Sequence, residues 1–157
     1  MRSNNAIDRF RSLVEVTDYN GESLDLTNQA KRCAGNRFEG NDQDAEEDCL
    51  TVNIYTNKGV LERGDKVPII YYIHGGGFGD GSNEGDWRKM VEFQGVMVVS
   101  IAYRLGVYGF LWTEDNLGNW GIQDQRMAMK WAQTWAPHFG GDTSQANVQN
   151  AWFPLFD

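Results

Sequence analysis

The chain has 157 residues, 41% of them hydrophobic and 13% aromatic, and a net charge of −8. That apolar content suffices for one domain with a core and excludes the composition of a disordered chain. The negative balance excludes nucleic acid and anionic membrane surfaces as partners, since both need basic patches, and no run reaches the roughly 18 apolar residues of a membrane span.

The first ten residues, M-R-S-N-N-A-I-D-R-F, lack the apolar segment of a signal peptide. Residues 1–40 are polar and weakly periodic, with a turn at Asn20-Gly21. Gly21-Glu22-Ser23-Leu24-Asp25 opens like a nucleophile elbow, G-x-S-x-G. Asp25 stands where the second glycine is needed and no apolar strand precedes it, so the stretch reads as plain loop. Asp42 to Asp48 hold five acids in seven positions. An EF-hand needs glycine at its sixth position, where Glu47 stands, so this reads as a solvated loop and not a calcium site. Cys33 and Cys49 have fifteen residues between them. Two cysteines without clustered histidines make no zinc site; they are either buried thiols or one disulfide.

Leu50, Val52 and Ile54 alternate with Thr51, Asn53 and Tyr55, the pattern of a half-buried strand. Asn57-Lys58-Gly59 then turns the chain. Pro68 opens the apolar run Ile69–Ile73, which fits a strand covered on both faces. It runs into His74-Gly75-Gly76-Gly77-Phe78-Gly79-Asp80-Gly81. Glycines placed after a buried strand leave bare backbone N–H groups at the sheet's end, able to stabilise developing negative charge. Asn83 is placed to cap a short helix carrying Trp87, Met90, Val91 and Gln94, and Gly95 ends it. Val96–Tyr103 is a second apolar strand, which makes a βαβ unit with parallel strands.

Gly106–Gly118 reads as irregular loop. A helix is expected over Ile122–Trp135, with Ala128, Trp131, Ala132 and Trp135 on one face. Core packing accounts for the Trp pair better than a ligand platform does. Pro137 and Gly140-Gly141 stop the helix. From Asp142 onward no basic residue and no period appears, and the closing apolar cluster Trp152-Phe153-Pro154-Leu155-Phe156 belongs to no expected element.

Several stretches, taken in order, carry a common pattern. They are Glu47-Asp48-Cys49-Leu50, Ile73-His74-Gly75-Gly76-Gly77-Phe78, Tyr103-Arg104-Leu105-Gly106-Val107, and Gly109-Phe110-Leu111. Gly118-Asn119-Trp120-Gly121-Ile122 with Asp124-Gln125 follows, and then Phe139-Gly140-Gly141-Asp142. Together they resemble the type-B carboxylesterase and cholinesterase family of the α/β-hydrolases. The resemblance is strong over about residues 46–142 and reaches weakly back to Arg9-Phe10. It implies an α/β fold: an incomplete α/β-hydrolase over residues 1–142, mostly parallel sheet with flanking helices, and a divergent tail over 143–157. It also implies hydrolysis of a small-molecule ester through an acyl-serine intermediate, without cofactor or metal.

Residue by residue, Gly76 and Gly77 match the family's backbone donors to the oxyanion, in a loop shared with His74, Gly75 and Phe78. A third donor in the family follows the nucleophile. Arg104 and Asp124 match one structural ion pair of the family, and Arg9 and Glu47 match another. Cys33 and Cys49 match its first disulfide loop. Closing fifteen residues adds roughly 3 kcal/mol in the chain-entropy account. A disulfide implies an oxidising compartment, hence secretion or the secretory pathway.

The departures are as specific. The family runs from F-G-G-D through a strand into the elbow G-E-S-A-G, whereas here no G-x-S-x-G occurs. His74 belongs to the glycine loop, and His138 follows the Trp helix, where the family has no base. The expectation is therefore an internal piece of an esterase, with the oxyanion loop but none of the triad, inactive alone. Two other readings stay open: a non-catalytic cholinesterase-like adhesion or binding protein, and a gene-prediction fragment with no function of its own. In either case Ile69–Ile73, without the nucleophile strand beside it, is expected to form an unpaired apolar edge prone to self-association.

Overall fold

A computed structural model describes residues 9–14, 30–36, 44–115 and 118–150. The Asn20-Gly21 turn, the Gly21–Asp25 stretch and the last seven residues of the tail lie outside the described residues. In chain order the strands are β1 (Arg32–Cys33), β2 (Ala45–Glu46), β3 (Val52–Tyr55), β4 (Val67–Ile73), β5 (Met97–Ile101) and β6 (Gly141–Asn150). The helices are α1 (Lys58–Arg63), α2 (Arg88–Phe93), α3 (Gly106–Phe110) and α4 (Trp120–Trp135), and a 3-10 turn follows over Ala136–Phe139. The chain divides into two compact units.

One unit comprises Val52–Gly75, Asn83–Ile101 and residues from Ala128 onward, and holds the main sheet. Its strand order is β3-β5-β4-β6. β4 pairs in parallel with β5, Ile69 opposite Met97 through Ile73 opposite Ile101. β3 runs antiparallel to β5. Met97, Val98, Val99 and Ile101 of β5 are fully buried, as is Ile69 of β4. Each such side chain contributes about 1.5–3 kcal/mol of burial. Ser100 stays in this strand because its hydroxyl donates to the Asn83 carbonyl at 2.6 Å. Asn83 is thus a buried acceptor and not the helix cap: α2 starts at Arg88, where the Asp86 carboxylate accepts the Arg88 N–H.

Three stretches differ from what the sequence suggests. Asn57-Lys58-Gly59 does not simply turn the chain. The Asn57 side chain accepts the Gly59 N–H at 2.8 Å and starts α1, which Gly64 closes in a left-handed conformation. On α4 the buried hydrophobic residues are Ala128 and Ala132, followed by Ala136, while Trp135 is 40% exposed beside His138. The small residues, not the Trp pair, form the inward stripe.

The third difference is β6. Residues after Asp142 do form an element, parallel to β4, with Ile69 opposite Ala146 and Ile73 opposite Asn150. The register jumps between Pro68 and Ile69. At that point the Asp142 carboxylate gathers Ser144 N–H and Oγ and the Gln145 side chain into a local turn. Hydrogen bonds from three donors hold Asp142 below its usual carboxylate range, the Ser144 hydroxyl first. β4 is therefore an interior strand, and the expected unpaired apolar edge at Ile69–Ile73 is corrected. β6 escapes a periodicity search because its bulge breaks the alternation and its side chains are mostly polar.

The second unit comprises residues to Thr51, Gly76–Ser82 and Ala102–Met127. β1 and β2 pair in parallel within it. Cys33 and Cys49 form a disulfide, S–S 2.00 Å, both residues buried. Gly106–Phe110, expected as loop, makes the short helix α3.

Candidate functional site: the glycine loop after β4

β4 carries the chain to His74, which is buried, with Nδ1 2.9 Å from the Gly75 carbonyl oxygen. Beyond it three consecutive residues take left-handed backbone: Gly76 at φ +111°, Gly77 at +63° and Phe78 at +59°. Only glycine fits at 76, because a Cβ there would lie 2.0 Å from the Asp80 carbonyl oxygen. The Gly76 carbonyl accepts the N–H groups of both Gly79 and Asp80 at 3.1 Å, which closes the turn. Among the described residues, no group of the chain accepts the N–H of Gly76 or Gly77. Both glycines are exposed. Gly76 and Gly77 thus leave two adjacent N–H donors open on a left-handed turn, a kind of backbone arrangement that suits an anion.

Phe78 pays for its positive φ, about 1–3 kcal/mol for a non-glycine residue, through its contacts. Its ring packs on Phe110 at 4.9 Å and edge-on to Tyr103 at 6.4 Å, and its carbonyl accepts the Gly106 N–H at 2.7 Å. Farther along the loop, Gly79 O accepts the Asn36 N–H at 2.7 Å. Asp80 Oδ1 accepts from Arg32 Nη1 at 2.9 Å and from the Gly81 N–H at 2.8 Å. Sequence reasoning missed Arg32, Asn36 and Asp80. Contacts across more than forty residues leave no periodic trace in a single sequence.

Arg104 and Asp124 form a two-point buried pair, Nε–Oδ2 2.7 Å and Nη2–Oδ1 2.6 Å. Arg104 Nη2 also reaches the Arg11 carbonyl, and the Asp124 carboxylate also takes the Arg104 N–H. Arg9 meets Glu47 through Nε and Nη2. That pairing raises the Arg9 pKa, the Glu47 hydrogen bond first. Both arginines, Glu47 and the disulfide line one small pocket with Tyr108. These groups fasten the unit together, and none offers a nucleophile.

Three of the described serines are engaged by named partners. Ser12 Oγ donates to Gln123, Ser100 Oγ to the Asn83 carbonyl and Ser144 Oγ to Asp142. His138 lies tilted against Trp135, at 5.6 Å between ring centroids. No cluster of three or more His, Cys, Asp or Glu suited to a metal ion occurs among the described residues. No described helix is long and apolar enough to cross a membrane.

The family model described as the Carboxylesterase family matches residues 6–149. Liver carboxylesterase 1 of Oryctolagus cuniculus is 41% identical over 105 residues, which cover 65% of this chain and 18% of the relative. Gut esterase 1 of Caenorhabditis elegans is 40% identical over 108 residues, covering 65% of this chain and 18% of the relative. Among solved structures, the crystal structure of Aspergillus niger EstA matches with a TM-score of 0.70 at 29% identity, over 77% of this chain and 25% of that one. The chain thus spans about a fifth of the length of the relatives it matches. Family and disulfide are both compatible with the secretory pathway. Sequence, sheet and comparisons agree: the chain belongs to the carboxylesterase family and carries part of its α/β-hydrolase fold.

Proposed function

We propose that this chain supplies the oxyanion-binding loop of a serine carboxylesterase, and that the acyl-transfer groups are not among its 157 residues. The observation that carries the reading is the pair of unspent N–H groups at Gly76 and Gly77 on an ordered left-handed turn. In ester hydrolysis a serine attacks the carbonyl carbon and the carbonyl oxygen gains negative charge. Donors already in place stabilise that charge in the transition state without reorganising. A third donor, a serine nucleophile and its histidine–acid pair complete the reaction in this reading. The substrate is a small-molecule ester, and the compartment is secretory.

The absence of G-x-S-x-G and the engagement of Ser12, Ser100 and Ser144 with other partners support the second half of the proposal. It is tested by p-nitrophenyl butyrate hydrolysis with the purified chain. The expected outcome is no turnover sensitive to a serine-directed organophosphate. Rapid hydrolysis that an organophosphate abolishes would overturn it.

A further inference from the structure

The oxyanion loop contains a carboxylate of its own. Asp80 lies four residues from Gly76, and its backbone N–H is bonded to the Gly76 carbonyl. A bare negative charge there opposes any anion held by Gly76 and Gly77. Arg32 answers it through Nη1, 2.9 Å from Asp80 Oδ1, both side chains about one-third exposed. The same Oδ1 takes the Gly81 N–H, so one oxygen ties the guanidinium to the loop's backbone.

Arg32 is itself fixed. It belongs to β1, its N–H donates to the Asp44 carbonyl, and the next residue, Cys33, is tied covalently to Cys49. Three residues on from Cys33, Asn36 donates its N–H to Gly79 O. Between them Gly35 packs so closely that a Cβ would lie 2.2 Å from Gly79 O. Residues 32–36 therefore grip residues 79–80 at two points, one on each side of the disulfide cysteine.

We infer that Arg32 and Asp80 are a positioning pair for the oxyanion loop: Arg32 braces it against the disulfide-anchored strand and neutralises the carboxylate that would repel a bound oxyanion. This rests on the reading of Gly76 and Gly77 as oxyanion donors. Bracing and charge balance make different demands. Asp80→Asn removes the pair but also the repelling charge. Arg32→Ala removes the brace and the guanidinium paired with that charge.

The test uses the full chain, labelled with 15N, and two readouts. The first is amide exchange at Gly79 and Asp80, whose N–H groups close the turn, with Ala102, bonded to the Thr51 carbonyl, as control. Arg32→Ala and Asp80→Asn are expected to speed exchange at Gly79 and Asp80 about tenfold and leave Ala102 nearly unchanged, as local opening does. The second is affinity for methylphosphonate, a small tetrahedral anion. Arg32→Ala is expected to weaken it about threefold or more, the scale of one partly exposed charge pair. Asp80→Asn should weaken it less, and the swap Arg32→Asp with Asp80→Arg should recover both readouts. Unchanged exchange at Gly79 and Asp80, a rise matched at Ala102, or equal affinity losses in the two single variants would overturn the inference. If one single variant fails to fold, the other and the swapped pair still decide it. Failure of the wild-type chain to bind methylphosphonate would count against the oxyanion reading, while exchange would still decide the brace.

Discussion

Arg104 and Asp124 meet through two parallel hydrogen bonds at side chains only 8% and 1% exposed. Both charges have left water, and each is compensated by the other. Removing one partner leaves the other buried and uncompensated, which costs about 3–5 kcal/mol. Asp124→Ala is therefore expected to lower the unfolding free energy obtained from urea melts by an amount in that range. A change below about 1 kcal/mol, the scale of a surface pair, would show that the guanidinium finds water in the folded chain.

The disulfide is the second fastening. Cys33→Ser with Cys49→Ser opens a covalent loop with a sequence separation of 16. The expected loss is roughly 3 kcal/mol in unfolding free energy, with a lower urea midpoint and a steeper slope because the opened unfolded chain is less compact. A variant as stable as the oxidised chain would mean that the loop is ordered by its other contacts.

Tyr71 presents the opposite case. It is 3% exposed in β4, and its hydroxyl has no hydrogen-bond partner among the described residues. Burial pushes its pKa up. An unpaired buried hydroxyl costs about 1–3 kcal/mol. Tyr71→Phe is expected to be neutral or stabilising by up to about 1 kcal/mol on the same scale. A clear destabilisation in thermal melts would reveal a partner for the hydroxyl.

Asp142 governs the bulge that starts β6. Its folded pKa lies below the ordinary 3.8, chiefly through the Ser144 hydroxyl, then Gln145 and the Ser144 N–H. A lowered carboxylate stabilises the fold above its unfolded value and loses that contribution as pH falls through the folded one. Carboxylate 13C titration is expected to place the Asp142 midpoint below 3.8, and Ser144→Ala should move it up toward that value. A wild-type midpoint at or above 3.8 would remove this turn from the account.

Much of the fold is legible in the residues themselves. The apolar runs at Ile69–Ile73 and Val96–Tyr103 have no other use than a covered parallel pair, and they form one in β4 and β5. The glycine loop is legible because its conformation can be built from few residue types; Gly76 at φ +111° is one such position. What escapes is set by distance or by mixed patterns. The Arg32–Asp80 pair spans 48 residues. β6 alternates poorly because a side-chain turn at Asp142 interrupts it. The Trp131–Trp135 stripe misleads because helical spacing marks a face without saying which face turns inward, and three alanines do so instead.

The central claim is that Gly76 and Gly77 present their N–H groups to an anion, and amide NMR of the 15N-labelled chain tests it most directly. Methylphosphonate is titrated in, with Gly64 and Gly95, two other glycines of positive φ, as references. The account predicts that the Gly76 and Gly77 resonances move together and saturably while Gly64 and Gly95 stay in place. It predicts further that Gly76→Ala abolishes the response, because a Cβ there meets the Asp80 carbonyl. Equal, unsaturable shifts at all four glycines, or a Gly76→Ala chain that still responds at Gly77 with wild-type affinity, would contradict it.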